Sequence, residues 1–322
     1  MRVIVFGTGA IGGAVAAALA RSGADVTAIA RGTQLDAIRE RGLRLRTPEM
    51  DEVIQFDVVG SPEEAKIGPD DAILLTMKGQ HTQAALEQLR DAGATTQPIF
   101  CLQNGVANEG KALRLFPNVH GVTVIMPTTF VTAGEVVVEA SPAFGIFYTG
   151  RYPGGAGPED EALASILSAA NIACFPRENV MASKYGKLIL NLGNILGAAL
   201  GPGADVGSLR SDLRAEAEAV FRAVGIEWEE VGADHPDRKT YLRPGSVPGF
   251  KGVGTSTAQS LVRGTGSLET DWLNGEVSLL GRLHGIATPA NDACTRIGAR
   301  MVREGLKPGD LTLDDLMREV AS

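Results

Sequence analysis

Cysteine is scarce in this chain: Cys101, Cys174 and Cys294 are the only three in 322 residues. Odd in number and far apart, they fit reduced thiols and argue against a disulfide framework. Histidine is as sparse, and His81, His120, His235 and His284 share no zinc-ligand spacing with one another or with the cysteines. Positive charge is also short, with 30 Lys and Arg against 38 Asp and Glu and a net charge of −8. That balance argues against non-specific nucleic-acid binding, which needs a basic surface. It also means that an anionic ligand must be met by individual Lys or Arg side chains. Val3–Ala20 runs without a charge, but Gly7-Thr8-Gly9 splits it into a strand-length run and a helix former, so no membrane span of ~18 residues is expected. Repeats and low-complexity tracts are absent, and because an apolar strand opens at Val3, no cleavable signal peptide is expected. The expectation is a cytoplasmic, metal-free protein with neither nucleic acid nor membrane among its partners.

What is present begins at the N-terminus. With 44% hydrophobic and 21% charged residues, the chain has ample core for one large or two ordinary domains. Val3-Ile4-Val5-Phe6 has strand length, and Ala14 to Ala20 is a good helix former. Between them stands Gly7-Thr8-Gly9-Ala10-Ile11-Gly12, a G-x-G-x-x-G turn in the strand-to-helix context that the motif demands. Gly7 permits the tight turn, Gly9 removes a side chain where a pyrophosphate must approach, and Gly12 lets helix pack on strand. The helix N-terminus then offers free N–H groups and a favourable dipole to the anion.

A second strand, Asp25 to Ala30, ends at Arg31-Gly32. An NAD site places a carboxylate near this strand end, whereas an arginine suits a 2′-phosphate. Here no carboxylate is adjacent, and a guanidinium can grip phosphate as a fork; the slot reads as NADP(H). Further strands are expected over Val53–Val59, Ala72–Thr76 and Pro98–Leu102, with a helix over Thr82–Ala92, so strand and helix alternate as in a parallel sheet. Lys78 and Asn104 fall just past strand ends, on the carboxyl edge where such sheets hold ligands, although Asn104-Gly105 also suits a plain turn. Val122–Val131 and Glu135–Glu139 are expected to form a hairpin at Ala133-Gly134, followed by a strand over Phe144–Tyr148, a helix over Glu159–Ala170 and a strand over Ile172–Phe175.

Past Arg177 the chain reads as helical, over about 180–200, 207–225, 255–263, 267–284 and 289–304. The expected architecture is an α/β Rossmann domain with a doubly wound, mainly parallel sheet over residues 1–178, then an all-helical domain over 179–322, with a small-molecule site in the cleft between them. On the first helix Lys187, Asn191 and Asn194 stand at i, i+4 and i+7, with Lys184 three residues earlier on the same face. Their neighbours are apolar, so the stripe must cap buried loops or face a ligand. A lysine there could give a proton or polarise a carbonyl. A second constellation runs from Ser256-Thr257-Ala258-Gln259-Ser260 through Arg263 to Gly264-Thr265-Gly266-Ser267-Leu268-Glu269-Thr270-Asp271-Trp272-Leu273-Asn274-Gly275. Glu269 sits near a helix start, where the dipole favours a carboxylate in any case.

Together these segments resemble the ketopantoate reductase (2-dehydropantoate 2-reductase) family over nearly the whole chain. The resemblance rests on Gly7-x-Gly9-Ala10-Ile11-Gly12, Arg31, Thr76-Met77-Lys78, Gln103-Asn104-Gly105, Tyr185 to Asn191 and Glu269 to Gly275. It implies an NADP(H)-dependent oxidoreductase of pantothenate biosynthesis, acting on a small 2-oxo acid, with a homodimer left open as the assembly. Lys187 would be the general acid and Glu269 would support catalysis. Arg31 would take the 2′-phosphate, and Lys78 and Asn104 would lie near the nicotinamide and the reacting carbonyl. Asn191 and Asn194 would contact substrate, with Ser256 and Thr257 both candidates for the hydroxyl at its carboxylate. The pattern departs from the family in three places: Ile195 occupies the usual second asparagine position with Asn194 one earlier, Ser256-Thr257-Ala258-Gln259-Ser260 replaces Ser-Met-x-Gln-Asp, and Glu269 stands one residue later than usual. These differences touch substrate contacts, so a relative acting on another 2-oxo acid or carbonyl compound stays open, as does a non-catalytic NADP-binding sensor.

Overall fold

The first strand and helix set the frame. In the computed structural model, the described residues run from Met1 to Ala321 apart from Val253 and Thr265. Thr265, in the segment ahead of Glu269, thus lies outside the described residues. The chain divides into two units: one holds Met1–Asn104, Asn108–Lys184 and Val231–Lys251, the other Gly105–Ala107, Tyr185–Glu230 and Gly252–Ser322.

The first unit is built on an eight-stranded sheet. In chain order its strands are β1 (Val3–Phe6), β2 (Val26–Ile29), β5 (Asp57–Val59), β6 (Ala72–Leu75), β7 (Ile99–Cys101), β8 (Val119–Ile125), β12 (Gly145–Arg151) and β13 (Ile172–Pro176). Their spatial order is β13-β12-β8-β7-β6-β1-β2-β5, parallel throughout except where β12 meets β8. The central strands β1, β6 and β7 are buried at every residue, as expected of parallel strands covered on both faces. Helices α1 (Ala10–Arg21), α2 (Gly32–Arg41), α3 (Pro62–Ala65), α4 (Thr82–Asp91), α5 (Asn108–Leu113) and α6 (Pro158–Ala169) connect these strands. Ile4, Phe6, Ile73, Leu75, Leu86, Leu89 and Ile99 belong to one core cluster between sheet and helices.

A second sheet, in the order β4-β3-β10-β9, is formed by β3 (Leu43–Arg46), β4 (Asp51–Ile54), β9 (Thr128–Thr132) and β10 (Glu135–Val138). Helix α1 lies against it as well as against the main sheet, and a Cβ on Gly13 would meet Val136 Cγ1 at 3.1 Å and Leu43 Cδ1 at 3.2 Å. This explains why α1 is buried from Gly12 to Leu19: it is apolar on every side because it has no solvent side. The second sheet also corrects two expectations. Val53–Val59 is two strands, β4 and β5, in different sheets. The hairpin at Gly134 is β9 with β10, while Val122 belongs to β8 of the main sheet. Pro127 stands between β8 and β9 and lacks the N–H to continue a ladder.

Helix α7 (Val180–Asn191) begins in the first unit and continues into the second, which also holds α8 (Asn194–Leu200), α9 (Leu209–Val224), α11 (Ser256–Val262), α12 (Asn274–His284), α13 (Pro289–Glu304) and α14 (Leu313–Val320). The helix expected over 180–200 is broken at Leu192-Gly193, well before Gly201. Between α9 and α11 the chain returns to the first unit as α10 (Pro236–Tyr241) and β14 (Leu242–Pro244), the latter pairing antiparallel with β11 (Ala140–Pro142). No described helix is long and apolar enough to cross a membrane.

Candidate active site

The glycine turn is shaped by contacts that leave no room for side chains at two of its three glycines. Gly7 has φ +105°, and a Cβ there would press on Met77 N at 3.0 Å. A Cβ on Gly12 would fall 1.9 Å from Gly7 O and 2.4 Å from Thr76 Oγ1, so α1 can lie this close to the turn only without it. Gly9 is the opposite case. It is exposed, it caps α1 without a side-chain hydrogen bond, and a Cβ there would meet nothing within 4 Å. Two side chains hold the turn. Thr76 Oγ1 lies 2.9 Å from Phe6 O and 2.5 Å from Gly7 O. Gln34 donates to Thr8 O at 2.9 Å and accepts from Gly134 N at 2.7 Å. Ala10 and Ile11 open the helix, half-buried. The result is a rigid loop with open space over Gly9, at the positive end of a twelve-residue helix.

Arg31 follows β2 and caps α2 with extended backbone. Its side chain is exposed, its guanidinium lies 6.0 Å from the Phe6 ring centroid, and Nη2 donates to Gln88 Oε1 at 2.8 Å. Lys78, half-buried, follows β6 and leads into a short 3₁₀ turn. Asn104 follows β7, also half-buried. A hydrogen-bonded chain joins these last two strand ends: Gln103 Nε2 donates to Thr82 Oγ1 at 3.1 Å, Thr82 to Asn108 Oδ1 at 2.8 Å, and Asn108 Nδ2 to Asn104 O at 3.2 Å.

In the second unit, Lys187 is half-buried on α7 and Asn191 is buried one turn later. Gly186, beside Lys187, allows a backbone crossing, for a Cβ there would stand 1.7 Å from Glu229 O. Asn194 does not share the helix of Lys187 and Asn191, because Leu192-Gly193 ends α7 and Asn194 starts α8. The i+7 stripe is therefore interrupted. Asn194 meets the second constellation instead: its Nδ2 lies 3.5 Å from Ser256 Oγ, and its carbonyl accepts from Thr255 Oγ1 at 2.9 Å. Ser256 is half-buried at the first turn of α11, and Thr257 is buried.

Glu269 is buried, and its carbonyl accepts from Trp272 N at 2.9 Å. Its segment is tied to α7 by Asn274, whose Nδ2 donates to Leu192 O and to Asn291 Oδ1, each at 3.1 Å. Asn291 Nδ2 in turn donates to Glu216 Oε2 at 2.8 Å, and Glu216 accepts from the Ala290 and Asn291 amides at 2.8 and 3.0 Å. This relay satisfies orphan donors at the α13 N-terminus and fixes the Glu269 segment against the end of the helix that carries Lys187 and Asn191. Gly105, in the same unit, has φ +81° and comes so close to this segment that a Cβ would sit 2.9 Å from Trp272 O. Thr76, Gln34, Asn274, Asn291 and Glu216 were not singled out for these roles from sequence. Thr76 and Asn274 lie within segments that the resemblance rests on, but nothing local points to their partners.

Comparison with known proteins follows the same segments. Residues 3–153 match the family described as ketopantoate reductase PanE/ApbA, and residues 179–301 match its C-terminal part. The chain belongs to the ketopantoate reductase family. It is accordingly an oxidoreductase, in a family of nicotinamide-dependent reductases. A 2-dehydropantoate 2-reductase of Pyrococcus horikoshii is 33% identical over 62% of this chain and 64% of that protein. One from Mesorhizobium japonicum is 28% identical over 94% of this chain and 98% of that protein. The crystal structure of a PanE/ApbA family ketopantoate reductase from Ralstonia eutropha superposes with a TM-score of 0.78 at 30% identity, covering 95% of this chain and 99% of that one. D-mandelate dehydrogenase with NADH has the same fold, with a TM-score of 0.76 at 20% identity over 94% of this chain and 99% of that one.

Proposed function

We propose that the protein reduces a 2-oxo acid with NADPH, with 2-dehydropantoate (ketopantoate) the leading substrate and pantoate the product. In this reading residues 1–178 are the cofactor domain and 179–322 the substrate and catalytic domain, in a cytoplasmic enzyme. The cofactor fits the residues present: the open cap at Gly9 accepts a pyrophosphate, and Gly7 and Gly12 hold the turn that presents it. Arg31, exposed at the end of β2 with no adjacent carboxylate, would take the 2′-phosphate. When bound, the cofactor supplies a hydride to the carbonyl carbon.

The protein's part is to orient the oxo acid and to meet the charge left on its oxygen. Lys187 Nζ gives a proton to that oxygen as the general acid. Asn191, with Asn194 and the hydroxyl of Ser256 or Thr257, holds the substrate by hydrogen bonds. Glu269 orients the lysine or the substrate, and Lys78 and Asn104 stand at the nicotinamide side. The observation that carries this reading is the tie from Asn274 to Leu192, which holds the glutamate segment to the helix of Lys187 and Asn191.

Asn194 beginning a separate helix, in contact with Ser256, favours a second reading in which the substrate is a different 2-oxo acid. Steady-state NADPH oxidation against a panel of 2-oxo acids tests both. Highest kcat/KM with ketopantoate supports the first, another acid ahead of it supports the second, and cofactor binding without turnover of any would leave an NADP-binding sensor.

A further inference from the structure

One buried ion pair is not used by the chemistry above. Lys184 is 2% exposed at its side chain and Glu109 0%, and Lys184 Nζ lies 2.6 Å from Glu109 Oε1. The same ammonium reaches Gln103 O at 3.0 Å, Val122 O at 3.2 Å and Cys101 O at 3.3 Å. It therefore grips the end of β7 and the middle of its neighbour β8 from the first turns of α7. Gly121 on β8 leaves the room: a Cβ there would stand 3.3 Å from Lys184 Cδ and 3.5 Å from Glu109 Oε1. Among the described residues neither carboxylate oxygen of Glu109 has a hydrogen-bond partner beyond this ion pair. Burial and, next, the Glu109 carboxylate push the Cys101 thiol up, and Lys184 acts against them.

A buried pair is a weak source of stability, since desolvating two charges offsets their attraction. Its position says more. Gln103, whose carbonyl Lys184 holds, immediately precedes Asn104, and Lys184 lies three residues before Lys187 on one unbroken helix. We propose that Lys184 and Glu109 are positioning residues for the reductase reaction, clamping the strand end before Asn104 to the helix that presents Lys187. The inference rests on the reductase reading above. Displacing a reacting group by about 1 Å can cost on the order of 10²-fold in rate without loss of binding.

The test uses Lys184→Met/Glu109→Met, because Lys184→Met alone leaves a bare buried carboxylate and is expected to unfold readily. Replacing a whole buried pair by apolar residues of similar volume is often neutral or stabilising, so the double variant should fold. Expected are a Tm within a few degrees of wild type, an NADPH Kd within about twofold, and a kcat at least tenfold lower with a smaller change in KM. A folded double variant with wild-type kcat overturns the proposal. A second arm needs no substrate. The Leu102 amide, which donates to Leu75 O at 3.0 Å, reports the strand end directly by hydrogen exchange. It should exchange at least tenfold faster in the double variant, with the Ile4 amide on β1 unchanged. Equal exchange at Leu102 overturns the clamp. Should wild type turn over no oxo acid, the reductase reading fails and the exchange arm alone decides whether the clamp exists.

Discussion

Lys184 and Lys187 are three residues apart on one helix, yet they sit in different units and different surroundings. Lys184 is buried, with a carboxylate and three carbonyls within 3.3 Å of its ammonium. Lys187 is half-buried in the second unit, one turn from Asn191 and on the helix to which Asn274 ties the Glu269 segment. A lysine whose ammonium is taken up by fixed acceptors holds chain segments in place and positions what they carry. One with access to solvent or ligand can exchange protons. Helical spacing alone does not separate the two, since i and i+3 share a face. What separates them is which distant parts of the chain fold over each.

The largest effect expected from this contrast is on turnover. Lys187→Ala should lower kcat by about 10²–10⁴-fold with NADPH Kd and Tm little changed, as loss of a general acid does; stopped-flow NADPH oxidation and cofactor titration measure both. A stability loss with kcat intact would exchange the roles assigned to the two lysines. Lys184→Ala should instead destabilise the fold by about 3–5 kcal/mol, the cost of breaking a buried pair and leaving one charge uncompensated. Urea unfolding checks it, and adding Glu109→Met should recover much of the loss.

Arg31→Ala comes next, because an exposed cation can act only through what it binds. NADPH affinity should fall about ten- to a hundredfold, the worth of roughly 1.5–3 kcal/mol for a charge-assisted contact, with NADH affinity unchanged. Equal losses for both cofactors would remove the 2′-phosphate from the argument.

The smallest effect is a pH dependence at a second buried pair. Burial would raise the Asp160 carboxyl, but the hydrogen bond and charge of His120, with Thr149 and the Gly157 amide, outweigh it and hold Asp160 below the usual carboxylate range. His120 Nδ1 lies 2.9 Å from Asp160 Oδ1, and both side chains are fully buried. A carboxyl lowered on folding contributes stability above its unfolded value, near ~3.9, and loses it as pH falls through the folded value. The Tm should therefore be flat in this contribution at neutral pH and drop only in acid. His120→Asn should start that drop at higher pH. An unchanged acid limb would show that His120 does not hold the carboxylate.

Much of the molecule was legible because its signals are local. Strand, glycine turn and helix lie within the first 21 residues, and the closest contact that a Cβ on Gly12 would make is with Gly7 O in the same turn. Apolar runs of strand length alternating with helix formers likewise marked β1, β2, β6 and β7 in register with the parallel sheet. The polar positions of α7 stood out against apolar neighbours, and the Glu269 segment stood out as a motif.

Other features depended on partners that no local pattern names. Val53–Val59 has the composition of one strand, but its two halves pair with β3 and β2, so only the sheets decide where it breaks. Asn194 fits an i+7 stripe until Gly193 ends the helix, and Ser256, 62 positions on, becomes its neighbour. Lys184 looked like a member of the same stripe, but its carboxylate is Glu109, on another helix of the first unit. The sequence by itself determined strands β1, β2, β6 and β7, the glycine turn and the list of polar side chains that needed partners. Tertiary structure decided which partners those were, because burying a charge or an amide makes a hydrogen bond obligatory without saying which part of the chain supplies it.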